Sequence, residues 1–363
     1  MTCESMIVPH AGAAVTHGDA GGRAVDLLHE LVAIPSVTGS EGPIVDLLEK
    51  RFRSDSWLIE TTEVTPGRRN LLLRGRGTPR VVLTSHADTV PPYFEPRREG
   101  DTLFARGACD AKASLAAMAT ALEEVSRDTD EAGLLVVVGE ELGSDGALAA
   151  NQRPAHGVQF LVGGEPTENR FVAGCKGCLR IAVETHGKAA HSSQAEAGAS
   201  AVPPLLDVLA ALRALDVPSD TVFGGTSMNI GVLRAGVAPN VLADSGRAEI
   251  LFRTGRPVEE LLGRISEAVG RAATVDVAYR SDPIHFRLPR GAAGDVVSFA
   301  CDLPLLKSWG QPLLIGPGSI LDAHAAQERV RLSEVERAVS LYADLVRGLL
   351  ARGEDYLEPP RSR

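Results

Sequence analysis

The chain has 363 residues, of which 44% are hydrophobic, 23% charged and only 4% aromatic, so two domains with cores resting on Ala, Val and Leu are expected. A formal net charge of -10 argues against nucleic acid as the main partner, since phosphate binding needs a basic face, and no apolar run is long enough to span a membrane. Five cysteines, an odd number in a long chain, do not suggest a disulfide framework and point to a reducing, cytoplasmic setting.

Residues 1–21 read as a flexible tail rich in Gly, Ala, His and Ser, without the basic and apolar stretches of a signal peptide. Helical periodicity begins near Arg23, with Val25, Leu27, Leu28, Leu31 and Val32 in one stripe that stops before Pro35. A second amphipathic helix is expected over 41–52, turning Ile44, Leu47, Leu48 and Phe52 inward. The short apolar runs 70–73 and 81–84 predict strands covered on both faces. A helix follows over 112–125, a buried strand over 134–138, a short helix over 144–150 and another strand over 160–163. This alternation predicts an α/β domain with a mixed, mostly parallel sheet flanked by helices.

Composition changes after Gly177. Strands are expected over 179–185, 227–233, 248–252 and 275–279, with helices over 199–215 and 257–273. The order strand–helix–strand–strand–helix–strand is that of a ferredoxin-like α+β module. From about Asp295 the chain reads like its first part again and closes with a helix over 333–350. The expected organisation is a catalytic domain of residues 22–177 and 287–363, interrupted by an inserted domain of residues 178–286.

Acidic residues and histidines gather at the ends of the buried strands, where open α/β sheets place their ligands. Ser85-His86-Ala87-Asp88 follows one strand, Gly139-Glu140-Glu141 the next and Gly163-Gly164-Glu165 a third, while Asp110 opens a helix and His324 lies beyond Gly316-Pro317-Gly318. Two histidines and three carboxylates suit two divalent ions, with one carboxylate bridging. Glu140, beside a ligand but not itself one, suits a general base, and Asp88 is placed to orient the His86 ring. Singly, each has a commoner role: a strand-end histidine packs, a Glu-Glu pair starts a solvated helix, and an Asp caps one. The ordered set is what points to chemistry.

The segments Ser85-His86-Ala87-Asp88-Thr89-Val90, Arg106-Gly107-Ala108-Cys109-Asp110-Ala111-Lys112, Gly139-Glu140-Glu141 and Gly164-Glu165-Pro166-Thr167 resemble the metallopeptidase family of acetylornithine deacetylase, succinyl-diaminopimelate desuccinylase, aminoacylase and glutamate carboxypeptidase. The resemblance runs from about Leu27 to the C-terminal helix. It implies two Zn2+ per subunit, which Co2+ can replace, with His86 and Glu165 on one ion, Glu141 and His324 on the other, Asp110 bridging and Glu140 as base. It also implies that the inserted domain is a dimerisation lid, making the protein a homodimer. Gly187-Lys188-Ala189-Ala190-His191-Ser192-Ser193 resembles the lid histidine motif, whose His191 would stabilise the oxyanion in a partner's site. Pro239-Asn240-Val241 resembles a substrate-contacting segment, and Arg253 fits a carboxylate-binding arginine, against the plain alternative of a surface strand-end charge. Gly316 and Gly318 resemble a glycine loop lining the pocket. The chain departs from the family's pattern around His324, where Ala325-Ala326-Gln327-Glu328 replaces the usual residues, at Ala113 and at 194–198, which lacks a proline.

The resemblance implies hydrolysis of an N-acyl amino acid, acetylornithine deacetylase-like, with a small N-acylated amino acid or short peptide as substrate. The alternatives are a carboxypeptidase-type exopeptidase, a deacylase of an aminoacylated carrier protein, or a non-catalytic relative. Cys175-x-x-Cys178 reads as two thiols at the junction of the domains, Cys109 as a small buried residue, and His186 and His285 as residues without a special role.

Overall fold

A computed structural model describes residues 20–359. The expected tail lies outside the described residues, except that Ala20 and Gly21 already belong to the first helix, α1 (Ala20–Val32). The helix α2 (Gly42–Arg51) starts with a proline in its first turn. An antiparallel hairpin follows, β1 (Leu58–Thr65) and β2 (Arg68–Arg74), then β3 (Val81–His86) and the short strands β4 (Arg97–Glu99) and β5 (Thr102–Phe104). Next come α3 (Lys112–Val125), β6 (Ala132–Val137), α4 (Asp145–Asn151), β7 (Phe160–Gly163) and β8 (Val172–Cys175). The inserted part is β9 (Gly177–His186), α5 (Val202–Arg213), β10 (Ser227–Ala235), β11 (Ser245–Thr254), α6 (Val258–Val269) and β12 (Thr274–Ser281). The chain returns through β13 (Ile284–His285), β14 (Asp295–Val297), β15 (Gln311–Leu314), β16 (Arg329–Arg331) and α7 (Leu332–Arg352).

The main sheet has the order β1-β2-β6-β3-β7-β15. The pairs β3–β6, β3–β7 and β7–β15 are parallel, and the β1–β2 hairpin joins antiparallel at β6. The continuous apolar runs follow from cover on both faces. Leu71, Leu73, Val81, Leu83, Leu134 and Val136 point toward α1, α3 and α7, while Leu72, Val82, Leu135, Val137 and Leu161 point toward α4 and the Trp309 segment. All of β3 is buried, and so is nearly all of α3.

The inserted sheet has the order β10-β11-β9-β12 with every neighbour antiparallel, which is the ferredoxin-like arrangement. Its face carrying Leu179, Ile181, Val183, Ala248, Ile250 and Phe252 packs on α5 and α6. Both helices are shorter than their apolar periodicity predicts. Prolines in the first turn of α5 fix its start, and Gly270 at φ 55° ends α6. The two crossings between the parts run side by side, because β8 and β13 pair antiparallel. The architecture is a mixed α/β catalytic domain with a separate inserted domain.

Candidate metal centre and cavity

His86 ends β3 with 1% of its surface exposed. Its Nδ1 lies 3.0 Å from the Asp88 backbone carbonyl oxygen. A carbonyl only accepts, so Nδ1 carries a hydrogen, and Nε2 is the nitrogen turned to the site, 3.1 Å from Asp110 Oδ1 and free to ligate a cation once it gives up its proton. The Asp88 carboxylate sits 3.4 Å from Nδ1. Its main work is elsewhere than the sequence suggests: it accepts from the backbone N–H of Glu140 at 3.0 Å and of Glu141 at 3.1 Å, and from Thr38 Oγ1 at 2.7 Å. Asp88 thus fixes the Glu140–Glu141 turn as much as the histidine ring.

That turn begins at Gly139, with φ 80°, where any side chain would collide with Asp145. Arg68 braces it, with Nη2 2.8 Å from the buried Glu41 and Nη1 2.6 Å from Asp145. Asp110 precedes α3 in a loop fastened by Glu328, which is fully buried. Glu328 accepts from the backbone N–H of Cys109 and of Asp110, both at 3.0 Å, and from Arg106 Nη1 at 2.8 Å. The other Asp110 oxygen, Oδ2, lies 3.3 Å from His324 Nε2, and that nitrogen is 3.0 Å from Glu141 Oε2. His324 holds a left-handed backbone, φ 58°, uncommon outside glycine.

Two donor groups result, His86–Asp110–Glu165 and Asp110–Glu141–His324, with the ligand atoms of each within 4.8 Å of one another. Asp110 alone belongs to both, and it turns a different oxygen to each histidine. The electrostatics favour cations in this cluster. Burial pushes the carboxyls of Glu140, Glu141 and Glu165 above their ordinary range. Burial opposes a charge on His86, but Asp110 and Asp88 outweigh it and hold the ring well above an ordinary histidine. Asp110 and Glu141 raise His324 to about 10. Crowded carboxylates facing imidazole nitrogens, all hard-to-borderline N and O donors, fit two divalent cations. Glu140 belongs to neither group, yet its carboxyl opens onto the same cavity.

The cavity measures about 580 Å³ and lies between the two parts of the chain. Asp110, Glu140, Glu141, Glu165 and His324 face Arg180, Asn229, Arg253 and Tyr279 of the inserted sheet. Arg253 Nη1 is buried there without a hydrogen-bond partner. Other residues singled out by sequence stand apart from this cavity. His191 is exposed and bridges to Val241, with its Nδ1 2.9 Å from Ser193 Oγ, and Asn240 accepts from Ser192 N at 2.9 Å. Gly316 and Gly318 do not line the cavity, contrary to expectation; Ile320 and Ala323 do. Gly316 instead lets the Glu165 backbone approach, and Gly318, at φ 84°, packs on Cys109. The four described cysteines are free and buried, and burial pushes the Cys109 thiol well up. Sequence reasoning missed Glu328 as the clamp of the Asp110 loop and Arg180 as a wall residue. Both act across long separations and leave no local signal. No described helix is long and apolar enough to cross a membrane.

The profile of peptidase family M20/M25/M40 matches residues 82–348. A peptidase M20 domain-containing protein of Schizosaccharomyces pombe is 33% identical over 340 residues, which cover 90% of this chain and 85% of that protein. A protein of Paracoccidioides brasiliensis named a probable carboxypeptidase is 32% identical over 384 residues, with the same two coverages of 90% and 85%. Among solved structures, a tripeptidase of Staphylococcus aureus superposes with a TM-score of 0.74 at 21% identity, over 90% of this chain and 99% of that one. The chain belongs to peptidase family M20/M25/M40 and is a metal-dependent hydrolase of amide bonds.

Proposed function

We propose that the protein hydrolyses the amide bond of an N-acyl amino acid, as an acetylornithine deacetylase-like deacylase, with two zinc ions as resident metals that cobalt can replace. One observation carries this reading: the unpaired, buried Arg253 Nη1 in the wall facing the donor groups. A planar guanidinium is shaped for a carboxylate, and the free α-carboxylate on the amine side of the scissile bond supplies one. His86 and Glu165 would hold one ion, Glu141 and His324 the other, with Asp110 shared. Bound there, the ions would polarise the scissile carbonyl and acidify water. Glu140 takes the proton of the attacking water and delivers it to the leaving nitrogen, so one carboxylate serves as base and then acid. Asp88 holds Glu140 in place through its backbone N–H.

A second reading has support of its own. The Paracoccidioides relative is named a probable carboxypeptidase, and a peptide's C-terminal carboxylate would meet Arg253 in the same way. The two readings differ only on the acyl side. The test is a panel of N-acetyl and N-succinyl amino acids against dipeptides, each with a free or amidated α-carboxylate, using the zinc- or cobalt-loaded full chain. N-acyl amino acids should be cleaved, and blocking the α-carboxylate should lower kcat/KM by about 10- to 100-fold, the worth of a charged hydrogen bond. Faster cleavage of the dipeptides establishes the carboxypeptidase instead. Indifference to amidation removes the role of Arg253.

The proposal includes a homodimer in which His191 enters the cavity of a second copy and stabilises the oxyanion. Its exposure and its position outside its own chain's cavity suit that role. Mixing a His191→Ala protein with a Glu140→Gln protein, each inactive, should restore about a quarter of wild-type activity, because half the dimers are mixed and each holds one intact site. A mixture that stays inactive after exchange of subunits would rule out action in trans.

A further inference from the structure

Beside Arg253, the inserted sheet places a second guanidinium in the cavity wall, that of Arg180. The register of β9 and β11 sets Arg253 opposite Cys178, and Arg180 opposite Leu251. Alternation therefore puts these four residues on one face, while Leu179, Ile181, Ile250 and Phe252 point to α5 and α6. Arg180 and Arg253 are diagonal neighbours, a relation that spaces their stems about 7 Å apart. Burial raises the thiol of the neighbouring Cys178, and both guanidinium groups oppose that rise.

No carboxylate among the described residues pairs with Arg180 or Arg253. Glu249 also lines the wall and is the other diagonal neighbour of Arg180, on the opposite side of Leu251 from Arg253, but it is engaged by Arg247 at 3.4 Å. The carboxylates across the cavity belong to the donor groups and their base, so two guanidinium groups side by side on the facing wall, neither in an ion pair, make a local site for anions brought in with the substrate. An α-carboxylate pairs with one of them. The second anion has to come from the adjoining side chain, and an ornithine ammonium would instead add a third positive charge.

We propose that the enzyme selects an acidic amino acid on the amine side of the scissile bond, an N-acyl-glutamate or N-acyl-aspartate, with Arg253 binding the α-carboxylate and Arg180 the side-chain carboxylate. This rests on the hydrolase reading above and replaces ornithine as the amine-side residue. The acyl side is left to the rest of the cavity.

The experiment measures kcat/KM of the zinc-loaded full chain on N-acetyl-L-glutamate, N-acetyl-L-glutamine and N-acetyl-L-ornithine, with Ala-Glu and Ala-Gln as a parallel pair. The glutamate-to-glutamine ratio should be about 10 to 100. Arg180→Gln should collapse that ratio toward one, and Arg180→Glu should shift preference toward ornithine. Equal or better cleavage of the glutamine and ornithine compounds by the wild type overturns the proposal, as does an Arg180→Gln protein with its ratio unchanged. Preference for Ala-Glu over Ala-Gln without cleavage of any acetyl compound would overturn the deacylase reading and sustain the selection of an acidic residue by Arg180.

Discussion

Glu140→Gln is expected to abolish turnover while both metal equivalents remain bound. The substitution is close to isosteric, and its backbone N–H keeps the Asp88 partner at 3.0 Å, so the turn carrying Glu141 is undisturbed. Glu140 lies outside both donor groups, so no ligand is lost. What disappears is the carboxylate that stands beside the donor groups without belonging to them and can take a proton from water and return it to nitrogen. Burial and the neighbouring Asp302, Glu165 and Glu141 carboxylates hold Glu140 well above an ordinary carboxylic acid, a direction that makes it a stronger base once ionised. Loss of a positioned acid–base group costs about 10²- to 10⁴-fold, and here one residue performs both transfers, which places the loss at the upper end. Metal analysis of the purified variant, beside its kcat, checks the point. Activity within tenfold of wild type removes Glu140 from the role, and loss of metal would show it to be a ligand.

Much of the frame behind that prediction could be read from sequence, and the reason is local. The runs 81–84, 134–138 and 160–163 are apolar almost throughout because the sheet is covered on both faces, and His86, Glu140, Glu141 and Glu165 stand close to their ends. The helix over Lys112–Val125 was equally plain, being almost wholly buried and rich in Ala and Leu. The hairpin strand β1 was not legible, because its residues Leu58–Thr65 are half exposed and carry Glu and Thr rather than an apolar run. Nor were β4, β5 and β16, each only three residues long. The clamp from Glu328 to the Asp110 loop spans 218 residues, and the wall pair Arg180–Arg253 depends on a cross-strand register. Such long-range pairings have no periodicity to betray them. Motif resemblance also drew His191, Asn240, Gly316 and Gly318 toward one site, whereas within a single chain none of them lines the cavity.

Substituting Asp110 should have the widest effect of any ligand change, because it alone belongs to both donor groups. Asp110→Ala removes Oδ1 from beside His86 and Oδ2 from beside His324 in one step. It leaves His86 with Glu165 and Glu141 with His324, two donors for each ion where structural and catalytic zinc sites use three or four. Loss of a mere outer-shell partner weakens metal binding by about 10- to 100-fold, so loss of a direct ligand from both ions should exceed that for each. The variant should emerge from dialysis with neither equivalent, and with activity too low to measure. Asp110→Asn separates charge from donor number: its single oxygen serves one ion, and its NH2 faces the other without a lone pair, so one equivalent should remain. Glu165→Ala and His324→Ala, each confined to one group, should likewise keep one. The ordering is the test, since a cluster that merely attracts cations by charge would treat Asp110→Ala, Asp110→Asn and Glu165→Ala alike and would lose nothing with His324→Ala. Retention of two equivalents by Asp110→Ala would show that no carboxylate is shared at this position.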